Sequence, residues 1–203
     1  MLFRSNPLAP RPAAAVLPFA QIGTEGGFLP APVALEQLLM SPAERADVIL
    51  DFTNVPVGTQ LYLINEGPDE PFAGGAPFED FDPADRTTTG QIMKFTVGPL
   101  TSPDTTLPVS QINLPTITPL GSAIRTRKVA LMEEVFDILR DVGPRAAVLG
   151  TVDEMGYPMM QMWSDPITEN PGLNDTEIWE IYNFTMDAHP IHLHEIMFQI
   201  VNR

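Results

Sequence analysis

The chain is 203 residues long, with 44% hydrophobic and 18% charged residues, a composition that supports a folded core and argues against disorder throughout. Eleven basic against 26 acidic side chains leave a formal charge of −15, which repels phosphate backbones and anionic lipid surfaces and disfavours nucleic acid or a bare membrane as partner. No apolar run approaches the roughly 20 residues of a membrane helix, and the absence of cysteine excludes disulfides while leaving the compartment open.

Twenty-two prolines, more than double the usual share of about 5%, favour loops, edges and short strands over long helices. The fold class expected is therefore all-β. The opening MLFRSNPLAPRPAAAVLPF is interrupted by prolines where a signal peptide needs a continuous apolar run, so it is not read as a leader. From Val16 to Val97 four strands are predicted, VLPFAQIG, ADVILDF (46–52), TQLYLIN (59–65) and QIMKFTV (91–97), separated by turn clusters as in a sandwich or barrel. Within ADVILDF, Val48, Leu50 and Phe52 share one face and Asp47, Ile49 and Asp51 the other. Thr24-Glu25-Gly26-Gly27 lacks the glycine fingerprint of a phosphate loop and reads as a hairpin turn. Ser41-Pro42-Ala43-Glu44 has the capping-box spacing and predicts one helical turn.

Glu66 to Gly90, rich in Gly, Pro, Asp and Glu, has no sustained period and is predicted to be an exposed loop. Its carboxylates lack the spacing of a calcium loop. Repeated prolines between Gly98 and Ala123 predict an extended connection and the best domain boundary. TRKVALMEEVF then restarts a strand pattern. The methionines of VDEMGYPMMQMWSDP, near Trp163, are read as core filling in preference to soft copper ligands. TEIWEIYNFTMDA is strand-like and leads into the last segment, which it is expected to neighbour. The sequons at Asn174 and Asn183 carry little weight.

All three histidines fall within six residues, His189-Pro190-Ile191-His192-Leu193-His194. Imidazole is the commonest protein ligand for copper, zinc and iron. Along a strand, residues two apart share a face and residues three apart do not. His192 and His194 are then partners, while His189, set off by Pro190, points elsewhere. The apolar residues Ile191, Leu193, Ile196, Phe198, Ile200 and Val201 predict a buried strand. Metal is the preferred reading, because buried imidazoles would otherwise each need a hydrogen-bond partner. Glu195, Asp187 and Glu180 are nearby carboxylates available for an outer shell or a proton path. A zinc hydrolase would want three converging ligands and a base, as in a His-Glu-x-x-His helix, and no such pattern occurs.

HPIHLH followed by MFQIVNR resembles a copper-binding signature in the last domain of multicopper oxidases, nearest to bacterial laccases, spore-coat oxidases and bilirubin oxidases. PVALEQLLMSPAERADVILDF is similar to a segment of the second domain in that family. The resemblance implies cupredoxin-like Greek-key sandwiches or barrels, here as incomplete domains: residues 1–99 as part of a second domain, 100–125 as a linker, 126–203 as the start of a third. It implies copper as cofactor, with His189 on the type 1 ion, His192 on the type 2 ion and His194 on one type 3 ion. It further implies that electrons from a phenol or bilirubin-like substrate reduce dioxygen to water. A blue copper site needs a cysteine, and this chain has none. The expectation is an internal piece of a longer oxidase whose flanking domains supply the missing ligands. Alone, such a chain would be a non-catalytic copper-binding module. Relatives of this kind usually work outside the cytoplasm or on the spore surface, which is the only pointer to location.

Overall fold

A computed structural model describes residues 1–139 and 142–202. Ten strands and one 3-10 turn make up the regular structure of the described residues, with no α-helix among them. None of their helices is long and apolar enough to cross a membrane. The chain divides into two units, one of residues 1–117 with 189–203, the other of residues 118–188.

In the first unit, β1 (Leu2–Arg4) pairs antiparallel with β5 (Gln60–Ile64), which pairs with β6 (Gln91–Thr96). A second sheet has β2 (Phe19–Thr24) between β3 (Gly27–Leu35) and β4 (Ala46–Ile49). Phe3 of the first sheet meets Phe19 of the second edge-on, with ring centroids 6.1 Å apart, and Phe95 at 5.5 Å. Edge-to-face contact suits the ring quadrupoles. Leu2, Phe3, Phe19, Ala20, Leu61 and the fully buried Ile64 form this core. A side chain of that size contributes about 1.5–3 kcal/mol when removed from water.

Three expectations need adjusting in this unit. Strand β3 was not predicted, because Pro30 and Pro32 break its pattern; it survives as an edge strand, where a missing amide hydrogen is tolerated. Strand β4 ends at Ile49, and Val48 is exposed while Ile49, Leu50 and Phe52 are half-buried, so the expected alternation stops with the strand. At Ser41–Glu44 the chain makes a turn but no helix: the Ser41 N–H donates to the Glu44 carboxylate at 2.7 Å, as in a capping box, yet Ala43 adopts φ 69° and ends any helical path. Residues 66–90 are irregular and largely exposed, as expected, and anchored by the buried Ala84, whose N–H donates to Gly67 O.

The second unit is one four-stranded sheet in the order β10 (Glu177–Asn183), β7 (Arg125–Glu134), β8 (Ala146–Val152), β9 (Pro158–Met160). Strand β10 runs parallel to β7. Arg127 grips Glu177 with both branches, Nε to Oε2 at 2.6 Å and Nη2 to Oε1 at 2.9 Å, and so pins β10 to β7. A single layer has no second face to bury its apolar residues against: Leu149, Met159 and Met160 are exposed, as are Met155, Met162 and Trp163. The reading of these methionines as core filling is therefore wrong, because they sit on an edge strand and its flanking turns.

Gly98 to Ala123 has no strand and is almost wholly exposed, with one 3-10 turn at Val109–Gln111.

Candidate metal centre

The histidine segment does not form the buried strand its apolar residues predict. Residues 188–202 have no ladder partner, and Ile196, Met197, Phe198, Ile200 and Val201 are exposed. Pro190 cannot donate to a ladder, and Glu195 at φ 66° takes the chain out of extended geometry. Strand β10 accordingly neighbours β7 and not this segment.

The pairing of His192 with His194 does appear, with ring centroids 4.9 Å apart and the edge of one ring toward the face of the other. Their segment lies along the β2–β3 hairpin of its own unit, forming a groove of about 540 Å³ lined by Glu25, Gly26, Arg45 and residues 192–197. His189 is not among the residues lining it.

The hairpin explains how Glu25 reaches this groove. Thr24 pairs with Gly27, leaving Glu25 and Gly26 as a two-residue loop with φ of 50° and 81°. Both values are positive, as the twist of a tight hairpin requires. One Glu25 carboxylate oxygen accepts the Arg45 backbone N–H at 2.7 Å, and the other lies 2.9 Å from His192 Nδ1. The Arg45 guanidinium stands 3.4 Å from that same oxygen and 3.4 Å from the imidazole nitrogen. The Arg45 N–H, with help from His192, holds the Glu25 carboxyl below its ordinary value and so anionic at neutral pH.

Of the carboxylates anticipated from sequence, Glu195 lines this groove, and Glu180 and Asp187 are not among its lining residues. Glu180 accepts the Tyr182 hydroxyl at 3.1 Å, the Asp187 carbonyl accepts from Asn183 Nδ2, and Glu195 lines the groove without an ion pair among those of the described residues. Glu25 and Arg45 were missed; the only trace of Glu25 in the sequence is its place in the Thr-Glu-Gly-Gly turn.

Adjacent imidazoles, one of them backed by a carboxylate, fit copper in the kind of donor they offer. Among the described residues no three His, Cys, Asp or Glu side chains form a group suited to hold an ion.

Comparison with known proteins agrees with the chemistry of these donors. The family model for multicopper oxidases matches residues 141–203. Over 198 residues the chain is 33% identical to Multicopper oxidase LPR1 homolog 3 of Oryza sativa subsp. japonica, covering 91% of this chain and 34% of that protein. It is 35% identical over 192 residues to a laccase of Bacillus subtilis (strain 168), covering 91% and 31%, and 34% identical over 194 residues to a laccase of Bacillus stratosphericus, covering 90% and 31%. These features define an all-β copper protein of the cupredoxin-like kind. The chain belongs to the multicopper oxidase family, and copper is the cofactor that membership implies. It spans about a third of the length of the curated relatives it matches.

Proposed function

We propose that this chain supplies copper-ligand positions to an oxidase that couples one-electron oxidation of phenolic or bilirubin-like substrates to the reduction of dioxygen to water. The observation that carries the reading is the His192–His194 pair, 4.9 Å apart, inside a segment matched to multicopper oxidases. In this reading His189 holds the type 1 ion, where electrons enter, while His192 and His194 hold a type 2 and a type 3 ion. Bound copper supplies the one-electron redox chemistry that amino-acid side chains lack. The peptide from His189 to His192 gives the two centres a short covalent link. The remaining donors, including a thiolate, come from flanking parts of the same polypeptide in this reading, and residues 1–99, 100–125 and 126–203 are parts of two cupredoxin domains and their linker.

The lack of a three-donor group among the described residues favours a second reading for the 203-residue chain by itself: a copper-binding module without turnover. Replacing the aligned third of the Bacillus subtilis laccase by this chain provides the test. Copper-loaded chimera is expected to consume dioxygen with a phenol and to lose at least about 100-fold in rate with His192→Ala, in line with the upper end of losses at metal shells. The chain alone is expected to bind copper without oxidising the phenol. A chimera whose turnover is indifferent to all three histidines would sink the oxidase assignment, and phenol oxidation by the chain alone would sink the second reading.

A further inference from the structure

We propose that Glu25, at the tip of the β2–β3 hairpin, is the positioning residue that holds His192 by Nδ1 and thereby presents its Nε2 nitrogen to copper. The inference rests on the copper reading of His192.

The contact itself decides the tautomer. At 2.9 Å, a carboxylate oxygen facing an unprotonated Nδ1 would set two lone pairs against each other, so Nδ1 carries the hydrogen and donates it. A protonated Nδ1 cannot accept from Arg45, whose guanidinium at 3.4 Å instead supports the Glu25 carboxylate, at 3.4 Å from Oε2. In the neutral ring the free lone pair then lies on Nε2, the form a metal ligand requires. Carboxylate–histidine pairs behind metal sites fix ring orientation in this way and raise ligand basicity.

Two further observations indicate a built arrangement. A glutamate at φ 50° occupies a region that L-residues avoid, in a turn position that asparagine, aspartate or glycine fills more readily. Its two carboxylate contacts, to the Arg45 backbone and to His192, are what a glycine or asparagine there would lack. The histidine segment is also seated beyond that one bond: the Met197 sulfur occupies the place where a side chain on Gly27 would project. A strained residue whose side chain holds a ligand in place is the usual setting in which such strain is kept.

The test uses the full 203-residue chain, metal-free and labelled with nitrogen-15, at about pH 8 where an ordinary imidazole is neutral. Wild type is expected to show the Nδ1–H tautomer at His192, and Glu25→Gln to show it only in part, because its one amide oxygen must serve either the Arg45 N–H or His192 while its NH2 faces the other. Glu25→Gly, which adopts a positive φ without strain, is expected to revert to the Nε2–H form that an unconstrained histidine side chain prefers and to bind Cu(II) about 10-fold more weakly or worse. Loss of the tautomer in the Gly variant, with the amide spectrum of β2 and β3 kept as in wild type, separates the hydrogen bond from a general loss of structure. An Nε2–H tautomer in wild type, or a Gly variant indistinguishable from it, overturns the role of Glu25. If His192→Ala weakens Cu(II) binding in that case, the copper reading stands without Glu25; if His192→Ala leaves binding unchanged, the copper reading itself has failed.

Discussion

Glu177 carries three hydrogen bonds on one carboxylate, two from Arg127 and one from Trp179 Nε1 at 3.0 Å. The Arg127 side chain is the main reason its carboxyl lies below the ordinary glutamate value, with Trp179 adding to it. A carboxyl depressed in the folded state contributes stability above its unfolded pKa and loses that contribution as pH falls through the lowered folded value. Glu177→Gln is therefore expected to lower the melting temperature at neutral pH, and the gap to wild type is expected to close on acidification below the usual carboxylate range. Thermal unfolding followed across pH checks this; a gap that stays constant at acid pH would assign the effect to shape and not to charge. At this scale the histidine pair was legible in the sequence, because residues two apart need only local extension to meet. Glu25 was not, since it lies 167 positions from His192 and no local period reports such a distance.

Among elements, the β8–β9 pair depends on a residue with no side chain. Gly150 stands opposite Met160 on β9 and Ala130 on β7, and a Cβ there would overlap the Met159 carbonyl and come within 2.6 Å of Met132 Cε. The Met132 methyl can swing aside, but the carbonyl is part of the ladder. Gly150→Ala is expected to destabilise the chain by about 1–3 kcal/mol, the typical cost of overpacking, and to loosen β9 first. A shifted urea midpoint, with faster amide exchange at Met159 and Met160, is the outcome sought; an unchanged midpoint would mean the strand gives way freely. Strands β2, β5, β6, β7 and β10 were readable because apolar and β-branched residues recur between clear turn signals. Strands β1 and β3 were not: three residues make no period, and two prolines disguise an edge.

The chain divides into two units, and the proline-rich stretch from Gly98 to Ala123 is almost wholly exposed. Extended backbone without ladder bonds is where a protease finds its substrate conformation. Limited digestion with a broad-specificity protease is expected to cut first between Gly98 and Gly121, before any site in β5 or β7, as read by mass spectrometry of the early products. First cleavage inside a sheet would show that the sheets open more readily than the connection.

Composition, proline content and strand-length apolar runs were enough to establish an all-β chain, and six consecutive residues were enough to point to copper, because both depend on neighbours along the backbone. Whether the apolar tail forms a strand, whether the methionines are buried, and which carboxylate faces His192 were decided only in three dimensions. Each of those depends on what a distant segment offers: a ladder edge, a covering layer, or the tip of a hairpin whose positive φ values carry Glu25 to the imidazole.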